Sequence, residues 1–226
     1  LLFMTGAYGD LGLGGFPGII PLFPLSGALL LPHGHLPLNI FEPRYLSMVE
    51  HALGSGRIIG MVQPKAICTD PVPDDTALYS IGCAGRIVSF EETETGHLFI
   101  ALRGLCRFHI EGELAVESGF RRAHVDYRTF AADLREDEGQ IPDRSRLLEA
   151  VRQYFALKDI EVDWQAIDEA SDETLVTSLA MICPLASREK QALLESSGIA
   201  ARGELLSSLM EMALLEDSDY AGSRRN

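Results

Sequence analysis

Lysine is scarce in this chain: Lys65, Lys158 and Lys190 are the only three in 226 residues, and none follows a glycine. No Gly-Lys-Ser/Thr loop can therefore cradle phosphates, which excludes a Walker-type NTPase. Cysteine is equally sparse. Cys68, Cys83, Cys106 and Cys183 form no Cys-x-x-Cys pair, so neither a zinc knuckle nor a dithiol redox motif is spelled out, and free buried thiols are expected. No lysine or arginine precedes Arg44; the apolar N-terminus lacks the charged start of a secretory signal, which points to a cytoplasmic protein. Long apolar runs are missing as well. The most hydrophobic stretch, residues 19–31, is cut by Pro21, Pro24 and Gly27 and falls short of the ~20 residues of a membrane span. Positive charge is outweighed, with 19 Lys and Arg against 33 Asp and Glu for a net charge of −14. Such a field repels phosphate backbones and anionic lipid, making nucleic acid an unfavoured partner.

What the chain does contain is an ordinary globular composition, 46% hydrophobic and 23% charged. A glycine-rich leader is expected over residues 1–18, with Met4 a candidate start. Residues 19–130 read as short strands broken by glycine and proline. Leu98, Ile100 and Leu102 alternate with Phe99, Ala101 and Arg103; Gly104 is expected to turn the chain into Cys106, Phe108 and Ile110, and Gly82 and Gly85 to mark bulges or bends. One helix interrupts the strands, opening at Pro43, carrying Leu46, Val49 and Leu53 on one face and ending at Gly54. An acidic connector, 131–142, leads to helices over 143–217. Leu147, Leu148, Val151, Tyr154 and Phe155 share one helical face, as do Leu175, Val176, Leu179, Ile182 and Cys183. Ser187 is a candidate N-cap for a third helix, Leu205, Leu209 and Met212 mark a fourth, and residues 218–226 are expected to fray. The fold class that follows is α+β.

Few residue sets could carry chemistry. Gly12 and Gly14 evoke a dinucleotide loop, but the spacing fails at Pro17 and no strand precedes it. Ser187-x-x-Lys190 has the spacing of one class of serine nucleophile, so a hydrolase is a remote alternative; a capping serine followed by a solvated lysine explains both residues and is the favoured reading. His33 and His35 could face a metal, yet no Asp, Glu or Cys cluster completes a set, and an exposed turn is expected. Cys106 and His109, at odd spacing on a strand, point to opposite faces. Arg121, Arg122 and Arg128 are interleaved with Phe120 and Tyr127, which would suit a stacking platform for RNA. An edge strand with Ala123, Val125 and Tyr127 turned inward explains the same pattern. Neither a catalytic set, nor a metal, nor a cofactor is expected.

The segment Ile20-Pro-Leu-Phe-Pro-Leu-Ser-Gly-Ala-Leu-Leu-Leu-Pro32, followed by Leu36-Pro-Leu-Asn-Ile-Phe-Glu-Pro-Arg-Tyr45, resembles the start of the Lon N-terminal domain family, especially its stand-alone bacterial members. The likeness continues through Ile58-Ile-Gly-Met-Val-Gln-Pro64, Ile81-Gly-Cys-Ala-Gly-Arg-Ile87, Leu102-Arg-Gly-Leu-Cys-Arg-Phe108 and Lys190-Gln-Ala-Leu-Leu-Glu195. The resemblance implies a PUA-like β-barrel followed by a small α-helical bundle, without the ATPase or peptidase parts of Lon. It implies binding of unfolded polypeptide or of a protein partner, in protein quality control. Phe41, Glu42, Arg44 and Tyr45 are the candidate peptide contacts, although for Phe41 and Tyr45 core anchoring is the favoured reading. RNA binding through Arg121, Arg122 and Arg128 is the alternative that a PUA-like fold keeps open.

Overall fold

A computed structural model of the chain describes residues 15–66, 72–116, 118–135 and 137–223. Most of the expected leader, and Cys68, lie outside the described residues. The chain is a mixed α+β protein that divides into two compact units: residues 1–25 with 30–135, and residues 26–29 with 136–226.

The first unit is built on six strands: β1 (Ile19–Pro24), β2 (His35–Ile40), β3 (Ile58–Val62), β4 (Ile81–Glu92), β5 (Leu98–Glu113) and β6 (Arg121–Asp126). Their order is β2-β5-β4-β3-β1-β6, and β6 also pairs back onto the far half of β5. β3 is buried at every position and β1 from Ile20 onward, which is why both read as continuous apolar runs and not as alternating ones. β5 alternates: Ile100, Leu102, Gly104, Cys106 and Phe108 are buried, while Phe99 and Arg103 are exposed. Ile20, Leu22, Val62, Phe108, Val125 and Tyr127 lie in the same buried cluster.

Two glycines act differently from expectation. Gly104 does not turn the chain, because β5 runs through it without a break. A Cβ there would overlap the carbonyl oxygen of Leu31. The Gly104 N–H donates to Gly34 O at 2.8 Å and its carbonyl accepts from His33 N at 3.0 Å, so the missing side chain admits a crossing backbone. Gly82 sits in regular register opposite Phe108; its added Cβ would come 2.6 Å from Met61 O and from the Phe108 ring. The irregularities of β4 fall at Ala84/Gly85 and Ile87/Ser89.

Helix α1 (Pro43–Gly54) starts on Pro43, whose missing N–H costs nothing in the first turn. It buries Tyr45, Met48, Val49 and Ala52, a stripe at i, i+3, i+4 and i+7 that includes only Val49 of the expected face. The first residues of the expected connector, 131–134, belong to a short helical turn. Arg128–Leu134 forms a 3-10 turn whose Phe130 is buried. Asp133 in this turn accepts from Arg107 N and Nε at 2.9 Å each and from Nη2 at 2.7 Å, with both side chains buried. Removing one partner of such a pair leaves a buried charge unpaired, typically at a cost of about 3–5 kcal/mol.

The second unit holds α2 (Arg144–Lys158), α3 (Trp164–Glu169), α4 (Asp172–Ile182), α5 (Ser187–Glu195) and α6 (Ile199–Ser223). Side-chain caps start three of them. Asp143 accepts from Arg146 N, Asp163 from Gln165 N and Ala166 N, and Ser171 from Thr174 N, each satisfying a backbone donor that the first turn leaves over. Ser187 is not a cap. It is the first helical residue of α5, and the Glu189 carboxylate accepts from Ala186 N at 2.7 Å. Asp137 takes the N–H of Ile199 at the start of α6 and that of Gly139.

Several helix faces are rotated from expectation. Leu147, Val151, Tyr154 and Phe155 are buried as expected, with Ala150 in place of Leu148. Ile182, the last helical residue of α4, is 61% exposed while Leu175, Val176 and Leu179 are buried. On α6 the buried residues include Leu206 and Met210, whereas Met212 is exposed, and the helix continues to Ser223 where fraying was expected from 218. None of the helices, among the described residues, is long and apolar enough to cross a membrane.

Candidate functional site

β2 is the terminal strand of the order and, among the described residues, pairs with β5 alone. The register sets Leu36 opposite Leu102, Leu38 opposite Ile100 and Asn39 opposite Phe99. The Gly34–Gly104 hydrogen bond fixes the alternation, so Leu36, Leu38 and Ile40 bond to β5 while His35, Pro37 and Asn39 turn their backbone groups outward. Pro37 offers only its carbonyl there, which blunts the edge without closing it.

Residues opposite one another across paired strands share a face. Asn39, Phe99 and Glu91 therefore form one row across β2, β5 and β4. Phe41 continues the same parity one step on, its ring centroid 5.9 Å from that of His97. Phe41 is 57% exposed and Phe99 51%, so two large aromatic side chains stand on one solvent-facing surface at the end of the edge strand. Phe41 is thus no core anchor.

The other three candidate peptide contacts are engaged within the protein. Tyr45 is buried, its ring 4.3 Å from Phe23 and its hydroxyl donating to Pro24 O at 3.3 Å. It packs as a core anchor. Arg44 donates to the Glu42 carboxylate at 3.2 Å, to Asp74 at 2.7 Å and to Val72 O at 2.9 Å, with its guanidinium 4.6 Å from the Tyr45 ring centre. Glu42, Arg44 and Tyr45 thereby hold the corner from which Phe41 projects.

The arginine set does not form a basic track. β6 is no edge strand, since it pairs with both β1 and β5. Arg121 is buried and bidentate to Glu113 at 2.6 and 2.7 Å, with a third bond to Thr76 O. Arg122 is half-buried. Arg128 is exposed but paired with Asp126, whose carboxyl it holds below the ordinary range. Arg121 and Arg128 are thus already matched by carboxylates.

Lys190 is buried and not solvated. Its ammonium donates to Gly27 O at 2.8 Å and to Met181 O at 3.3 Å, and burial pushes its pKa below the usual lysine value. Those bonds occupy the amine that a serine nucleophile would need, while Ser187 sits in the first turn of α5. His33 Nε2 lies 3.0 Å from Asp133 O and 3.2 Å from Arg135 O, and His35 is exposed. Cys106 is buried with its thiol on Phe130 O at 3.2 Å, and burial raises its pKa to about 12. His109 stacks on the Phe130 ring, 5.0 Å between centroids. Among the described residues, no group of three or more His, Cys, Asp or Glu could hold a metal.

The profile of the family described as the ATP-dependent protease La (LON) substrate-binding domain matches residues 19–212. The chain belongs to this family. It is similar to a Lon protease of Dictyoglomus thermophilum, 26% identical over 186 residues that cover 82% of this chain and 23% of that protein. It is also similar to Lon protease 2 of Sorangium cellulosum, 28% identical over 160 residues, 62% of this chain and 20% of that protein. The chain thus spans about a fifth to a quarter of the length of these relatives. Among solved structures it matches the Lon N-terminal domain protein from Xanthomonas campestris with a TM-score of 0.56 and 25% identity, covering 84% of this chain and 97% of that one. It also shares its fold with the N-terminal domain of a Mycobacterium avium complex Lon protease, at a TM-score of 0.58, 16% identity, and 85% and 98% coverage.

Within this Lon-family domain, sequence reasoning missed Phe99. The signal was present in the alternation of β5, where Phe99 shares its parity with Arg103, but three consecutive apolar residues, Leu98, Phe99 and Ile100, hid which side faces water.

Proposed function

We propose that this chain is a non-catalytic recognition module for polypeptide segments or a protein partner, working in cytoplasmic protein quality control. Membership in the LON substrate-binding domain family supports the reading. The observation that carries it is the pair Phe41 and Phe99, exposed on one face beside the terminal strand. Exposed aromatic rings supply large contact area at small cost in side-chain entropy, and clustered ones mark interaction surfaces. The outward backbone groups of His35 and Asn39 add hydrogen-bonding capacity for an extended segment. Glu42, Arg44 and Tyr45 serve by holding the corner. The circuit of pairing through β1, β3, β4, β5 and β6 supports a PUA-like barrel as the rigid support. The reading requires no cofactor, and the carbonyl partners of Lys190 count against Ser187 as a nucleophile.

The test is titration of a permanently unfolded, carboxymethylated protein against the chain, read by fluorescence anisotropy. Saturable binding that weakens several-fold in Phe41→Ser is expected. Absence of saturable binding by the unmodified chain overturns the reading.

A further inference from the structure

The aromatic pair is not electrically neutral ground. Glu91 shares the row of Phe99 and Asn39, and Glu92 and Glu94 stand exposed at the adjoining hairpin end. Between Arg86 and Arg103 the chain has neither lysine nor arginine. At the far end of the face Arg103 stands opposite His35 and Arg86 in the register. Glu42, nearest in sequence to Phe41, is taken by Arg44. The surface is therefore apolar in the middle and acidic at the hairpin end, within a chain of net charge −14.

Resting on the polypeptide-recognition reading above, we propose that this face selects extended segments in which a large apolar residue is flanked by lysine or arginine. The apolar side chain packs on Phe41 and Phe99, and the cation lies toward Glu91, Glu92 and Glu94. Two effects favour a cation there. Exposed carboxylates attract it over a Debye length of about 8 Å at physiological salt, and the exposed rings of Phe41 and Phe99 attract it by their quadrupoles. The same field opposes an acidic segment and a second copy of this acidic chain.

Three fluorescent peptides with one shared apolar centre, flanked by lysine, glutamine or glutamate, are titrated against the full chain. The lysine peptide is expected to bind about tenfold tighter than the glutamate peptide at low salt, the gap closing as salt rises. The triple substitution Glu91→Gln, Glu92→Gln, Glu94→Gln changes only exposed side chains. It should collapse that ratio and leave the glutamine peptide's affinity unchanged, whereas Phe41→Ser with Phe99→Ser should weaken all three. Equal affinities for the three peptides, or a lysine preference that survives the triple substitution, overturn the charge selection and leave polypeptide recognition standing. Failure of every peptide to bind overturns both. A dimer seen by sedimentation that disperses in the Phe41→Ser, Phe99→Ser variant, with no peptide binding, overturns the proposal in favour of self-association.

Discussion

Lys190 takes its charge into the interior because two carbonyls wait for it: Gly27 O in the short segment 26–29 and Met181 O in the last turn of α4. A cation at a helix C-terminus meets the negative end of the backbone dipole, and the bond to Gly27 ties residues that are 163 apart in sequence. Lys190→Met keeps the length of the side chain and removes its donors, taking one hydrogen bond away from each of the two carbonyls. It is expected to lower stability by about 1–3 kcal/mol, whereas Ser187→Ala, at a first-turn position with no capping bond, should stay within about 0.5 kcal/mol. Paired urea denaturation curves check both. A Ser187→Ala loss as large as that of Lys190→Met would show that the serine hydroxyl is bonded within the fold. From the sequence, Lys190 reads as a solvated lysine after a capping serine because lysine seldom goes inside; no local pattern announces carbonyls contributed by distant segments.

At the scale of the element, β5 is the strand on which the first unit turns. Its first half bonds to β2, its far end to β6, and β4 lines the other side from Leu98 to His109. Alternation on β5 was legible, since its inward residues are apolar from Ile100 to Phe108. Its continuity was not, because a glycine between two apolar runs signals a turn as readily as a close crossing. Gly104→Ala is expected to cost at least about 3 kcal/mol or to prevent folding, since its Cβ would meet the Leu31 backbone and not a side chain that can move aside. Gly112→Ala, on the same strand with open space at the Cβ position, should be close to neutral. Thermal melts of the two variants make the comparison. The helix faces show the same lesson. Tyr45, Met48, Val49 and Ala52 form as regular a stripe as Leu46, Val49 and Leu53 in a helix rich in apolar residues; which stripe turns inward depends on the neighbours.

Across the whole molecule, the excess of acid is partly organised into pairs. Asp172 takes the Ile141 N–H and the Arg144 guanidinium, Glu211 takes Arg146, and Asp126 takes Arg128. These partners hold all three carboxyls below their ordinary pKa. The unfolded chain therefore binds more protons than the folded one in the acid range. Stability from these pairs is complete above the ordinary carboxyl pKa and is lost as pH falls through it toward the depressed folded values. Denaturant midpoints are expected to fall between about pH 5 and about pH 3, and Asp172→Asn should start lower at neutral pH and lose less on acidification. A variant curve parallel to the parent's would remove Asp172 from the explanation.

Composition, charge and the ordered motifs from Ile20 to Glu195 were enough to place this chain in its family and to assign the α+β class, because those properties depend on local patterns that the backbone obeys wherever it goes. The tertiary structure alone decided which charged and aromatic residues remain available. It buried Tyr45 and Lys190, paired Arg44 and Arg121 with carboxylates, and left Phe41 beside Phe99 in water. Exposure and pairing are properties of residues brought together from far along the chain, so the family and the fold class could be read early, whereas which of these side chains stay exposed could not.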